Sequence, residues 1–99
     1  MDKLVRDKIV QIIEASGRTC EYHVVAGDEY ERRLKEKLIE EINEFFEDPC
    51  VMEMADILEV LEAMKKFYKL DPYIVSIEQS NKRWEKGGFY DGVVLDKVE

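Results

Sequence analysis

Four carboxylates, Glu41, Glu44, Glu53 and Asp56, stand in mirrored positions about the dipeptide Asp48-Pro49. Glu44 and Glu53 are equally far from that break, and so are Glu41 and Asp56. If the flanking segments are helices folded back on each other, Glu44 faces Glu53 and Glu41 faces Asp56. An E-x-x-E on one helix then meets an E-x-x-D on its partner, because residues three apart are neighbours on a helix face. Four acids gathered at one height repel one another strongly unless a cation lies between them. Oxygen-only ligation of this kind suits Mg²⁺ or Mn²⁺ rather than zinc.

A helical wheel at about 100° per residue separates these acids from ordinary surface ones. Asp56 and Glu53 fall inside the apolar arc formed by Met52, Val60, Ala63, Met64 and Phe67. Glu41 shares a face with Leu34, Leu38 and Phe45, and Glu44 lies at the edge of that stripe beside Lys37. Glu36, Glu40, Glu47, Glu59 and Glu62 point away. A carboxylate on an apolar face is costly unless it is paired or metal-bound. Neutralisation by Lys or Arg is the alternative for any one of them; the mirrored set of four favours a metal.

The elements that must position these acids are marked by caps and breakers. A first helix is expected from about residue 7 to residue 16, with Gly17 as its stop. Residues 19–25 alternate in polarity and read as a short strand. Asp28, with Glu31 three residues on, offers a capping box for a long second helix that runs to about residue 46. Asp48 as cap and Pro49 in the first turn open a third helix to about residue 69. Asp71-Pro72 repeats that signal for a fourth helix, which Gly87-Gly88 ends. Val93 and Val94 in the tail would let residues 89–98 pair with the 19–25 strand. The expected fold is all-α, an antiparallel bundle of about four helices with a minor two-stranded β element. Residues 1–99 are read as one domain.

Composition narrows the partners. Charged residues make up 38% and hydrophobic ones 45% of the 99 residues, which fits a helical globular chain. A net charge of −8 argues against binding duplex nucleic acid, which needs a basic patch. It is compatible with a phosphate-bearing small molecule, since a bound divalent cation reverses the local field. No apolar run reaches membrane-spanning length, and the start of the chain lacks the apolar stretch of a signal peptide. Cys20 and Cys50 form no C-x-x-C pair and read as reduced thiols, so a cytoplasmic location is expected. His23, the one histidine, lies on the expected strand, away from the acids. Tyr73 and Trp84 on the fourth helix read as core fillers, and Lys3, Arg6 and Lys8 as a solvated helix start or as phosphate contacts across a subunit boundary.

K-L-I-E-E-I-N-E over residues 37–44, followed by E-M-A-D-I-L over residues 53–58, resembles the MazG-like all-α nucleoside triphosphate pyrophosphohydrolases. Phosphoribosyl-ATP pyrophosphohydrolase belongs to the same superfamily. The opening K-L-V-R-D-K-I and the late K-G-G-F-Y-D-G-V-V-L look like a small single-domain branch of that group. The resemblance implies Glu41, Glu44, Glu53 and Asp56 as Mg²⁺ ligands (Mn²⁺ as a substitute) and hydrolysis between the α and β phosphates of a nucleotide. It matches the family's phosphate-side lysine to Lys82. Lys86 stands where the branch carries Arg, keeping the charge without the guanidinium fork. In the implied mechanism Glu41 or Glu44 takes the proton of the attacking water, while Lys37, Lys82, Arg83 and Lys86 offset charge on the departing pyrophosphate. Relatives build their pockets from two chains, and Val51, Met54 and Leu58 widen the third helix's apolar arc, so a homodimer or homotetramer is expected. Phosphoribosyl-ATP as substrate, and a non-catalytic helical dimerisation or regulatory module, are the competing readings.

Overall fold

The computed structural model describes residues 2–99 and contains four helices: α1 (Ile9–Ala15), α2 (Gly27–Glu47), α3 (Val51–Phe67) and α4 (Pro72–Lys86). The chain is all-α, and the described residues contain no strand. The expected β element is therefore corrected: residues 19–25 and 89–98 do not pair, and Tyr22, Val24, Val93 and Val94 all stand exposed. Alternation of polarity suits a strand only where a ladder partner arrives, and a lone two-stranded ribbon is marginal in water.

Local signals account for the helix ends, with three shifts from expectation. At α4, Asp71 caps as expected: its Oδ1 accepts from Tyr73 N–H at 2.8 Å, and Pro72 takes the first turn. At α2, Ala26 rather than Asp28 occupies the cap, and Glu31 is drawn instead to Tyr68, whose hydroxyl donates to Glu31 Oε2 at 2.7 Å. At α3 the cap is Cys50, so Asp48 ends α2 and Pro49 spaces the turn. At the first helix Lys8 holds the cap position, which shortens α1 at both ends.

Two helix ends close by the same wrapped geometry with different residues. After α1, Gly17 takes φ +84°, its N–H donating to Glu14 O and that of Arg18 to Ile13 O. After α3, Lys69 takes φ +57°, its N–H donating to Lys66 O and that of Leu70 to Lys65 O. Both are Schellman closures, in which a left-handed residue lets the chain reverse and satisfy the last carbonyls.

α2 and α3 pack antiparallel. Tyr30 meets Phe67 edge-to-face, with ring centroids 5.5 Å apart, and both lie equally far from the Asp48-Pro49 turn. Leu34 and Val60 form the buried seam, at 2% and 8% exposure. The N-terminal residues 4–9 lie over that seam and close a cleft of about 490 Å³, which Leu4, Arg6, Lys37, Glu41, Asp56 and Val60 help to line. α4 does not join the hairpin: it has no buried residue. The result is a molecule of 63 × 31 × 22 Å with a radius of gyration of 18.0 Å. A compact domain of this length has about 13 Å. The four-helix bundle expected from the sequence is thus a packed pair of helices, a short N-terminal cover and a projecting arm. Among the described residues, no helix is long and apolar enough to cross a membrane.

Candidate metal centre

The hairpin brings three of the four mirrored acids together. Glu41 on α2 and Glu53 and Asp56 on α3 each offer a carboxylate oxygen, and the three oxygens lie within 4.8 Å of one another. The register that puts Tyr30 against Phe67 also puts Glu41 opposite Asp56, because both pairs are symmetric about the turn. Glu53 and Asp56 are three positions apart, so the same face of α3 carries both.

Glu41 is buried at 6% exposure and is the most enclosed acid of the chain. Its Oε1 lies 3.2 Å from Lys37 Nζ, one turn earlier on α2. Its Oε2 and the Oε2 of Glu53 are both buried without a hydrogen-bond partner. Stranding an ionised oxygen in this way costs far more than a surface carboxylate does. A divalent cation held among the carboxylates of Glu41, Glu53 and Asp56 would relieve it, and an all-oxygen donor set fits Mg²⁺ or Mn²⁺.

Glu44 stands beside this triad at half-buried depth. Its carboxyl is raised above the ordinary value, first by the negative charge of Glu41 and then by carboxyl–carboxyl contact with it, with burial, Glu53 and Glu40 adding to the effect. The mirrored Glu44–Glu53 opposition is felt as charge, while the convergent set is Glu41, Glu53 and Asp56.

Cations ring the outer edge. Arg6 Nη2 donates to Asp56 Oδ1 at 2.6 Å, and Lys3 Nζ to Glu40 Oε1 at 2.9 Å. Lys3 holds the Glu40 carboxyl below its usual range, chiefly through that hydrogen bond, and Lys37 adds its charge. Asp2 is tied down in turn by Arg33, whose guanidinium donates to the Asp2 backbone oxygen at 2.9 Å and to its carboxylate at 3.1 and 3.2 Å. Sequence reasoning assigned Lys3 and Arg6 to solvent or to another subunit; here they bind acids of their own chain. The signal available was the alternation of basic and apolar residues in K-L-V-R-D-K, which suits a segment lying on an acidic seam.

The other expected substrate contacts divide. Lys37 is at the cluster. Lys82, Arg83 and Lys86 stay on α4, exposed and away from the triad, and Lys82 instead borders an apolar groove with Leu70, Ile74 and Val75. Tyr73 and Trp84, expected in a core, are exposed, Trp84 at 90%. His23 is exposed as well, and Cys20 and Cys50 are free thiols. Compared with family profiles, with curated proteins and with solved structures, the chain matches none.

Proposed function

We propose that the chain is a Mg²⁺-dependent nucleotide pyrophosphohydrolase of MazG-like type, cleaving between the α and β phosphates to give a monophosphate and pyrophosphate. The observation that carries this reading is the pair of stranded oxygens, Glu41 Oε2 and Glu53 Oε2, within a convergent three-carboxylate set. Glu41, Glu53 and Asp56 hold the ion, with Glu44 at the rim. When bound, the ion supplies positive charge to phosphate oxygens and acidifies water beside it.

The chain's own groups do the rest. Water attacks the α phosphorus, the bond to the bridging oxygen breaks, and pyrophosphate leaves with the electron pair. Glu44, whose carboxyl is already raised by Glu41, takes the proton from the attacking water. Lys37 neutralises Glu41 and the near phosphate oxygens. Lys82, Arg83 and Lys86 meet the leaving pyrophosphate from α4 of a second copy, because α4 leaves its own hairpin. A homodimer, or a homotetramer built from two such dimers, completes the pocket. The two free thiols suit a cytoplasmic protein.

The test is pyrophosphate release from a panel of NTPs, dNTPs, modified nucleotides and phosphoribosyl-ATP, with and without Mg²⁺. Release that needs the metal and disappears in Asp56→Asn and Glu41→Gln is the expected result. Silence across the panel from a folded oligomer would overturn the enzyme and favour a helical dimerisation module, the reading that the bare face of α4 also suits. Melting checks the ion by itself: at a hundredfold excess over its Kd, Mn²⁺ should stabilise wild type by about 2.7 kcal/mol and Asp56→Asn not at all.

A further inference from the structure

Arg6 and the divalent ion want the same carboxylate. The Arg6 guanidinium sits on Asp56 Oδ1, and Asp56 is one of the three convergent acids. With Arg6 and Lys37 both in place, Glu41 Oε2 and Glu53 Oε2 still lack partners. A guanidinium is a planar fork whose N–H groups diverge, so it can neutralise the edge of the cluster without converging on its interior. A small divalent ion can converge. Placed among the three acids, it would lie close enough to the guanidinium for strong like-charge repulsion in a partly buried site.

Resting on the cation reading of the triad, we propose that Arg6 is a built-in counter-cation which the divalent ion displaces from Asp56 and which then receives the phosphate chain of the substrate. Three features support the exchange. Arg6 is borne by residues 2–8, which precede α1; only its carbonyl is tied to the helix start, accepting from Ile9 N–H at 3.1 Å, so its side chain can swing without breaking that bond. Its side chain is 56% exposed, so it has room to swing. The segment is also anchored at its other end, by Asp2 on Arg33 and Lys3 on Glu40, so a released Arg6 stays at the mouth of the cleft it lines. A guanidinium held there matches two phosphate oxygens in bidentate fashion. The ion and the arginine thus exchange partners, and the cluster remains neutralised before and after substrate enters.

The exchange makes two effects of opposite sign in one variant. Arg6→Gln removes the competitor, and Mn²⁺ titrated alone by calorimetry should bind about threefold to fivefold more tightly, as expected for loss of one solvent-exposed ion pair. With Mn²⁺ saturating, the same variant should bind inorganic tripolyphosphate about tenfold more weakly, through loss of a bidentate contact. A merely damaged fold would weaken both. Asp2→Asn, which loosens the segment without touching the cluster, should tighten Mn²⁺ by about twofold and guards against a misfolded Arg6 variant. Equal or weaker Mn²⁺ binding by Arg6→Gln than by wild type overturns the exchange, and unchanged tripolyphosphate binding overturns the hand-over. Failure of wild type itself to bind Mn²⁺ would overturn the cation reading and this inference with it, an outcome distinct from equal binding in both.

Discussion

The α2–α3 hairpin and the α4 arm are both well-formed helical regions, yet only the first has an interior. The hairpin buries Leu34, Val60 and Glu41, whereas α4 buries nothing although, among the described residues, it alone of the four helices carries a side-chain cap bond at its start, with a Pro in its first turn. Caps fix where a helix begins; packing of an apolar face supplies most of what keeps it folded. At 15 residues α4 is of marginal length for an isolated helix in water. Ile74, Ile77 and Trp84 remain uncovered along it. The difference teaches that the hairpin carries a buried seam of its own, whereas the arm holds no residue buried.

The contrast breaks first in the hairpin. Leu34→Ala should destabilise the fold by about 2–5 kcal/mol in urea unfolding, since Leu34 is 2% exposed and fills the seam. A loss below about 1 kcal/mol would mean that the seam is not the core.

The arm answers to a different measurement. On the dimer reading, Ile74→Glu should reduce the light-scattering mass to that of one chain while leaving the helical circular-dichroism signal of the hairpin in place. Wild type that already scatters as one chain at micromolar concentration would remove the second copy from the proposal.

The smallest effect concerns the ion pairs that bind the N-terminal residues to α2. Glu40 has its folded-state pKa lowered below 4.5, first by the hydrogen bond from Lys3. A depressed carboxyl contributes stability at pH above its unfolded value, and that contribution is lost as pH falls through the folded one. Lys3→Gln should therefore flatten the acid limb of a melting-temperature profile between about pH 5 and pH 3. At neutral pH it should cost only about 0.2–1 kcal/mol, because the pair is partly exposed. An unaltered acid limb would show that Lys3 does not hold the segment.

What could be read from residues alone follows the same divide. The helices were legible because Pro49, Asp71-Pro72, Gly17 and Gly87 act within a turn of their own positions. The approach of Glu41 to Glu53 and Asp56 was legible because a tight turn converts equal sequence distance into equal height, whereas the expected fourth member, Glu44, is not in the convergent set. The β pairing was misread because polarity alternation in residues 19–25 says nothing about whether a partner strand arrives. Asp28 lost the cap to Ala26, and Glu31 found a stronger partner in Tyr68 across the hairpin. Arg6 on Asp56 and Lys3 on Glu40 were out of reach, since they depend on how long side chains fold over 50 and 37 residues of separation. The position of Lys82 relative to the acids cannot follow from one chain if α4 is completed by another.

Lys69 has a further consequence at the joint between the two regions. A side chain at φ +57° is strained by about 1 kcal/mol relative to glycine, which occupies the equivalent place after α1. Glycine there would relieve the strain but would also let the following residues sample many directions. With Lys69 the joint has fewer backbone conformations open to it than glycine would give. On the dimer reading, an arm with fewer directions open to it would lose less orientational freedom on docking. Strain at this one residue would then favour assembly, and Lys69→Gly is expected to raise the melting temperature while lowering the light-scattering mass at a given concentration.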